Sequence, residues 1–238
     1  MQATARPRVL ADVFIPAAAV QSRANRLAID AALVIGFAFV IAICAQLAFK
    51  LPTTTVPITG QTFGILVSGG ALGSKRGGAA ALLYMLVGMV GLPVFAPTGN
   101  FMAEKSAHFV FPWLGGSGLL WNMSSGGYIV GFVVAAFIVG WLAEKGWDRQ
   151  SKGVLAMLIG SVAVYVFGLA WLAVYIQTHA PVNAFFEGLY PGSSLLVKTL
   201  NGGLFPFVGG DALKLVLASL ALPGAWALVS KIKGEPKG

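Results

Sequence analysis

Phe205 to Ser230 reads FPFVGGDALKLVLASLALPGAWALVS, an apolar run interrupted near its start by one acid, Asp211, and one base, Lys214. Residues three apart on a helix lie on nearly the same face, so the two charges sit about one turn from each other. Either one costs about 2.5 to 3.5 kcal/mol at the centre of a membrane helix on the insertion scale, so the pair needs a reason to be there. Two reasons compete. The pair is a structural ion pair buried between helices, or it belongs to a site for a polar small molecule, since ionisable residues inside membrane spans mark substrate paths by default.

The rest of the chain has the same apolar character. Of its 238 residues, 57% are hydrophobic and only 10% charged, against about a quarter charged in soluble domains. The apolar residues recur in blocks near the length of a bilayer crossing, which implies an all-α integral membrane protein built as one compact bundle. The bundle is placed at 27–230, between a basic N-terminal segment, 1–26, and a basic tail, 231–238. A net charge of +8 would suggest nucleic acid in a soluble protein, but in a membrane protein it reports topology, and no nucleic-acid partner is implied. The single cysteine, Cys44, lies in an apolar run and excludes both an intramolecular disulfide framework and a cysteine-based zinc cluster.

Taken in order, Met1 to Arg26 carries Arg6, Arg8, Arg23 and Arg26 and is assigned to the cytoplasm, with room for an interfacial turn at 13–20. The first span covers Leu27 to Phe49, too long for a cleaved signal sequence. Within it Ala28, Ala32 and Gly36 form a stripe of small residues four apart, which packs inside the bundle or against a partner helix. The following TTTVPITG is β-branched and proline-bearing, unfit for a straight helix. Such backbone at membrane depth must be buried in protein or face a wet cavity. A short second span runs from Gln61 to Gly73, a charged turn holds Ser74, Lys75, Arg76 and Gly77, and a third span covers 78–95. The loop that follows, rich in aromatics and glycine, is expected over a pocket or against the membrane. The fourth span is 126–143, the fifth 153–177, and the sixth begins at Phe205 or Gly209 and exits at Lys231. Between the last two, 178–203 leaves room for a short interfacial helix.

The basic residues sort by side. The four N-terminal arginines, Lys75, Arg76, Lys145, Arg149, Lys152, Lys231, Lys233 and Lys237 fall on one side. Only Lys50, Lys105 and Lys198 fall on the other, and Lys214 lies within a span. That asymmetry predicts six transmembrane helices with both termini cytoplasmic.

No phosphate-cradling loop is present, because GSKRGG at 73–78 lacks the required spacing, so the chain does not carry its own ATPase. His108 and His179 have no neighbours at metal-ligand spacing, and no metal site is assigned. Gly116-Ser117-Gly118 resembles the serine setting of an intramembrane hydrolase, with His179 as its base. Trp113, Trp121 and Tyr128 read as an interfacial belt, with Tyr128, beside Gly126 and Gly127, the one that stands out. Gln61, Asp211 and Lys214 remain as polar groups in search of a ligand.

Several motifs bear on that ligand: Val56-Pro57-Ile58-Thr59-Gly60-Gln61-Thr62, Gly70-Ala71-Leu72-Gly73 with Lys75-Arg76-Gly77, Tyr84, and the run from Gly88 to Phe95. Gly126-Gly127-Tyr128-Ile129-Val130-Gly131-Phe132 and Pro206-Phe207 through Gly210-Asp211-Ala212-Leu213-Lys214 complete the set. Together they closely resemble the BioY family, the biotin-specific S components of energy-coupling-factor transporters, over Leu27 to Leu220. The chain departs from the family pattern in having Ser124-Ser125 where a proline-threonine is common. Its 97–123 loop is also longer, and a basic residue often found there is replaced near Asn100.

The resemblance implies a six-helix subunit in the cytoplasmic membrane of a prokaryote that binds biotin from outside, is not an enzyme and uses no cofactor. It also implies partners: a transmembrane coupling protein, reached through Ala28, Ala32 and Gly36, and a pair of ATP-binding cassette ATPases. Thr59, Gln61, Tyr84, Asn100, Tyr128, Asp211 and Lys214 form the candidate binding set. Three rivals stay open: an S component for another vitamin, a serine hydrolase using Ser117, and a structural membrane subunit.

Overall fold

The computed structural model describes residues 9–15, 22–97, 106–110, 115–149 and 152–233. The helices are α1 (Leu10–Val13), α2 (Arg23–Gln46), α3 (Gln61–Leu72), α4 (Ser74–Met89), α5 (Gly126–Glu144), α6 (Lys152–Thr178), α7 (Ala180–Leu189), α8 (Leu195–Gly203) and α9 (Phe205–Lys233). Among the described residues, four helical stretches are long and apolar enough to cross a membrane: α2, α5, α6 and the nearly continuous α8–α9 stretch Leu195–Val229. Reaching six requires counting α3 and α4 as well, at 12 and 16 residues.

The hub of the bundle is α3, in which every residue but Phe63 and Val67 is buried. Its composition explains how so many neighbours fit around it. Lipid gives helices no hydrophobic incentive to associate, so close packing over small residues has to do it. A Cβ at Gly69 would stand 2.5 Å from the Ala136 carbonyl oxygen of α5, and one at Gly70 would stand 2.2 Å from Leu222 Cδ1 of α9. The backbone of α5 comes just as near the α3–α4 junction, where a Cβ at Gly140 would lie 2.3 Å from the Gly73 carbonyl carbon.

That junction differs from the sequence expectation. Lys75 and Arg76 are not in a loop; Gly73 alone separates α3 from α4, with a left-handed φ of +84°. The Glu144 carboxylate accepts both the Ser74 N–H (2.7 Å) and the Ser74 hydroxyl (2.8 Å), so α4 starts at once. Arg76 pairs with Asp12 of α1 and, at 2.7 Å, with Asp30 of α2. Val9 and Leu10 are buried beside this network.

Other boundaries shift for local reasons. The first span begins at Arg23 rather than Leu27, because the Ser22 side chain accepts the Asn25 N–H and caps it. It also stops at Gln46: Ala48–Lys50 forms β1, which pairs antiparallel with β2 (Ile58–Thr59) and with His108–Phe109. Lys50, expected in an external loop, is only 1% exposed. The third span ends at Met89, and Phe95–Pro97 instead pairs with Gly115–Gly116. The protein is therefore mostly helical but not all-α, with two small sheets at the end opposite Gly73. The stretch before the sixth span holds two short helices, α7 and α8, and α9 starts at Phe205, the earlier of the two expected positions.

Candidate binding cavity

Pro57 and the β-branched residues around it keep 51–59 out of helical geometry, and the chain supplies partners for that backbone. The Thr54 hydroxyl donates to the Gly202 carbonyl and accepts the Val56 N–H, while the Ser124 hydroxyl donates to the Thr55 carbonyl at 3.0 Å. Thr54, Thr55 and Val56 are all buried. Pairing of β2 with β1 then delivers Thr59 and Gln61 at the start of α3, against the first turns of α9.

Gln61 is fixed at both ends of its amide. The Thr59 hydroxyl donates to Gln61 Oε1 at 2.7 Å, and Gln61 Nε2 donates to the Tyr84 hydroxyl at 2.6 Å. Each end keeps spare capacity, since the amide has two N–H groups and two lone pairs on oxygen. On α9, Lys214 pairs with Asp211 Oδ1, and Lys214 Nζ also donates to the Thr59 carbonyl at 2.8 Å. The Tyr165 hydroxyl of α6 donates to Asp211 Oδ2. A continuous polar belt thus runs from α4 through the start of α3 and the first turns of α9 to α6.

The belt borders a cavity of about 270 Å³. Thr59, Gln61, Tyr128, Asp211 and Lys214, all expected from the sequence, lie on its wall. Most of the remaining wall is apolar, including Ile129, Phe132, Val164 and Phe207. Tyr128 lies flat against α6 because Gly168 has no side chain; a Cβ there would sit 2.3 Å from the ring. Its hydroxyl donates to the Gly203 carbonyl at 2.8 Å, joining α5 to α8. Over the cavity, the segment around 120–125 is held by Trp171 Nε1, which donates to the Met123 carbonyl, and by the Tyr175 hydroxyl, which donates to that of Asn122.

One of the expected site residues has another position, and one is not described. Tyr84 is 1% exposed and stands behind Gln61 rather than on the cavity wall, with Phe95 edge-on at 5.5 Å. Asn100 lies outside the described residues. Ala28, Ala32 and Gly36 lie on the outward face of α2, and a Cβ added at Gly36 would meet nothing within 4 Å. Ser117 is exposed, whereas His179 stacks on Tyr175 at 3.7 Å, so among the described residues no serine–histidine pair forms there.

The residue that sequence reasoning missed is Tyr165. Its signal was a phenolic hydroxyl in the middle of an apolar span, a group that needs a partner when buried. The partner, Asp211, lies 46 residues away in the chain, beyond the reach of any local pattern.

Comparison with known proteins bears on the whole chain. A sequence model of the BioY family matches residues 18–231. A protein of Thermotoga maritima named biotin transporter BioY is 33% identical over 72% of this chain and 81% of its own length. A Rhizobium etli protein of the same name is 30% identical over 69% and 75%. The Bacillus subtilis putative biotin transporter BioYB is 29% identical over 86% and 91%. Among solved structures, an S-component for biotin from an ECF-type ABC transporter superposes with a TM-score of 0.61 at 20% identity, covering 91% of this chain and 96% of that one. That likeness is one of fold.

The belt makes a prediction for stability. Tyr84→Phe leaves the buried Gln61 N–H without its acceptor and is expected to destabilise the protein by about 1–3 kcal/mol. Thermal melting in detergent reads this, and an unchanged melting temperature would show that Gln61 is not held through Tyr84.

Proposed function

The chain belongs to the BioY family, and we propose that it is the substrate-specific membrane subunit that binds biotin and takes it up with energy supplied by other chains. One observation carries this reading. Gln61, Asp211 and Lys214, the costly polar groups of three separate sequence positions, converge with Thr59 on a single cavity of about 270 Å³ whose other walls are largely apolar. Biotin has the matching division: a ureido ring with two N–H donors and a carbonyl acceptor, a compact apolar thioether bicycle, and a carboxylate on a flexible tail. Gln61 offers a spare donor and acceptor, Asp211 is an acceptor for N–H groups, and Lys214 is a cation for the carboxylate or for Asp211. Tyr128, with its ring on the wall, is suited to the bicycle.

The proposed topology has six spans, α2 to α6 and α9, with both ends of the chain in the cytoplasm. Its support is the division of the bundle into two ends. Lys75, Arg76, Lys145, Arg149 and Lys152 fall at the end where Glu144 meets Ser74, whereas the cavity is at the other, as the positive-inside rule requires for a pocket that opens outward. The exposed small residues Ala28, Ala32 and Gly36 are proposed to face a transmembrane coupling protein, which connects the subunit to ATP-binding cassette ATPases.

Two experiments test the proposal. Asp211→Asn and Lys214→Ala each leave one member of a partly buried charge pair alone, so biotin affinity in detergent should fall by about 30-fold or more, from a loss of about 2–5 kcal/mol. Full affinity in both variants would remove the belt from the site. For topology, single cysteines at Lys145 and Asn183, in a Cys44→Ser background, are treated with a membrane-impermeant maleimide on intact cells. Labelling at 183 and protection at 145 are expected, and the reverse pattern would invert the orientation.

A further inference from the structure

We propose that Tyr165 is the positioning residue of the cavity, holding the Asp211 carboxylate in one orientation before ligand arrives. Asp211 has two oxygens and two tethers from different helices. Oδ1 faces Lys214, one turn away on α9, and Oδ2 accepts the hydroxyl of Tyr165 on α6. With Lys214 alone, the carboxylate keeps its rotation about the terminal torsion, a broad and nearly two-fold well. The second bond removes that freedom.

Tyr165 can serve because it is itself fixed. Its ring stands edge-on to Tyr128, with centroids 6.4 Å apart and planes at 82°. Tyr128 in turn is pinned by the bare backbone of Gly168 and by its bond to the Gly203 carbonyl. The position of α9 makes this tether more than a local detail. Only 22% of the apolar window of the α8–α9 stretch is buried, and the Ala218 and Leu222 that anchor α9 in the core lie about two and three turns beyond Asp211. The Tyr165–Asp211 bond connects that helix to α6, which packs along α5, and Lys214 connects it to Thr59 on the other side. Orientation fixed in the free protein is ordering that ligand binding does not have to supply, which is how preorganisation raises affinity.

The inference rests on the biotin reading only for the choice of ligand, and the test keeps the two apart. The chain has four aspartates, Asp12, Asp30, Asp148 and Asp211, so labelling with [4-13C]aspartate gives a small set of carboxyl resonances. Asp211→Glu, whose carboxyl carries no label, identifies the one from Asp211. In ligand-free Tyr165→Phe the Asp211 resonance should shift while the other three stay in place, and calorimetry should show biotin affinity reduced by roughly tenfold, the scale of one hydrogen bond to a charged group. If the phenylalanine variant does not fold, Tyr165→Leu, which also removes the hydroxyl, is read the same way.

An unmoved Asp211 resonance overturns the proposal, because a purely packing role for Tyr165 leaves the carboxylate as it was. A shifted resonance with unchanged affinity overturns it as well. A wild-type protein that binds no biotin sinks the ligand reading instead, and the resonance alone then decides whether Tyr165 holds Asp211.

Discussion

A carboxylate and an ammonium one turn apart in an apolar helix are a liability that the surrounding structure has to offset. Desolvating two charges costs several kcal/mol each, and their mutual attraction recovers this only when further hydrogen bonds complete the shell. Asp211 and Lys214 receive that shell from the hydroxyl of Tyr165 and the carbonyl of Thr59, on two other segments. A well-packed apolar pair in the same positions would commonly be as stable or more so. On the proposed function the charges serve recognition rather than stability, and the polar belt from Tyr84 to Tyr165 is the framework that would hold them ready.

The two ends of the bundle are built for different tasks. Around Gly73 the backbones of α3, α4 and α5 come within van der Waals reach, Glu144 closes the start of α4, and Arg76 gathers α1 and α2 through two aspartates. At the opposite end the helices part around the cavity. Short strands, the turn near 120–125 and the α7–α8 pair cover that space through individual hydrogen bonds such as Thr54 to Gly202 and Tyr175 to Asn122. The irregular backbone at Thr54, Thr55 and Val56 is buried, as a bilayer demands of non-helical backbone at membrane depth.

How much of this could be read in the sequence follows from how local each cause is. The limits of α5 and α6 were legible because Gly126 and Gly153 begin long apolar runs and the polar Glu144-Lys145 and Gln177-Thr178 end them. Gln61, Asp211 and Lys214 were legible because polar groups at membrane depth are costly wherever they occur; Tyr128 stood out beside two glycines, and Thr59 joined the set only through the family resemblance. The strands were not, since two or three residues carry no periodicity. The α3–α4 junction was misread as a charged loop because its helix start depends on Glu144, 70 residues away. The place of Tyr84 behind Gln61 and the role of Tyr165 likewise depend on partners 23 and 46 residues distant.

The central claim is that this belt and cavity select biotin. The most direct measurement is to incubate the purified, folded protein with equal amounts of biotin, thiamine and riboflavin, remove free ligand by desalting, and identify the retained molecule by mass spectrometry after denaturation. Retention of biotin alone, near one per chain, is the expected result. Retention of another vitamin, or loss of biotin from a protein that remains folded, would contradict the claim.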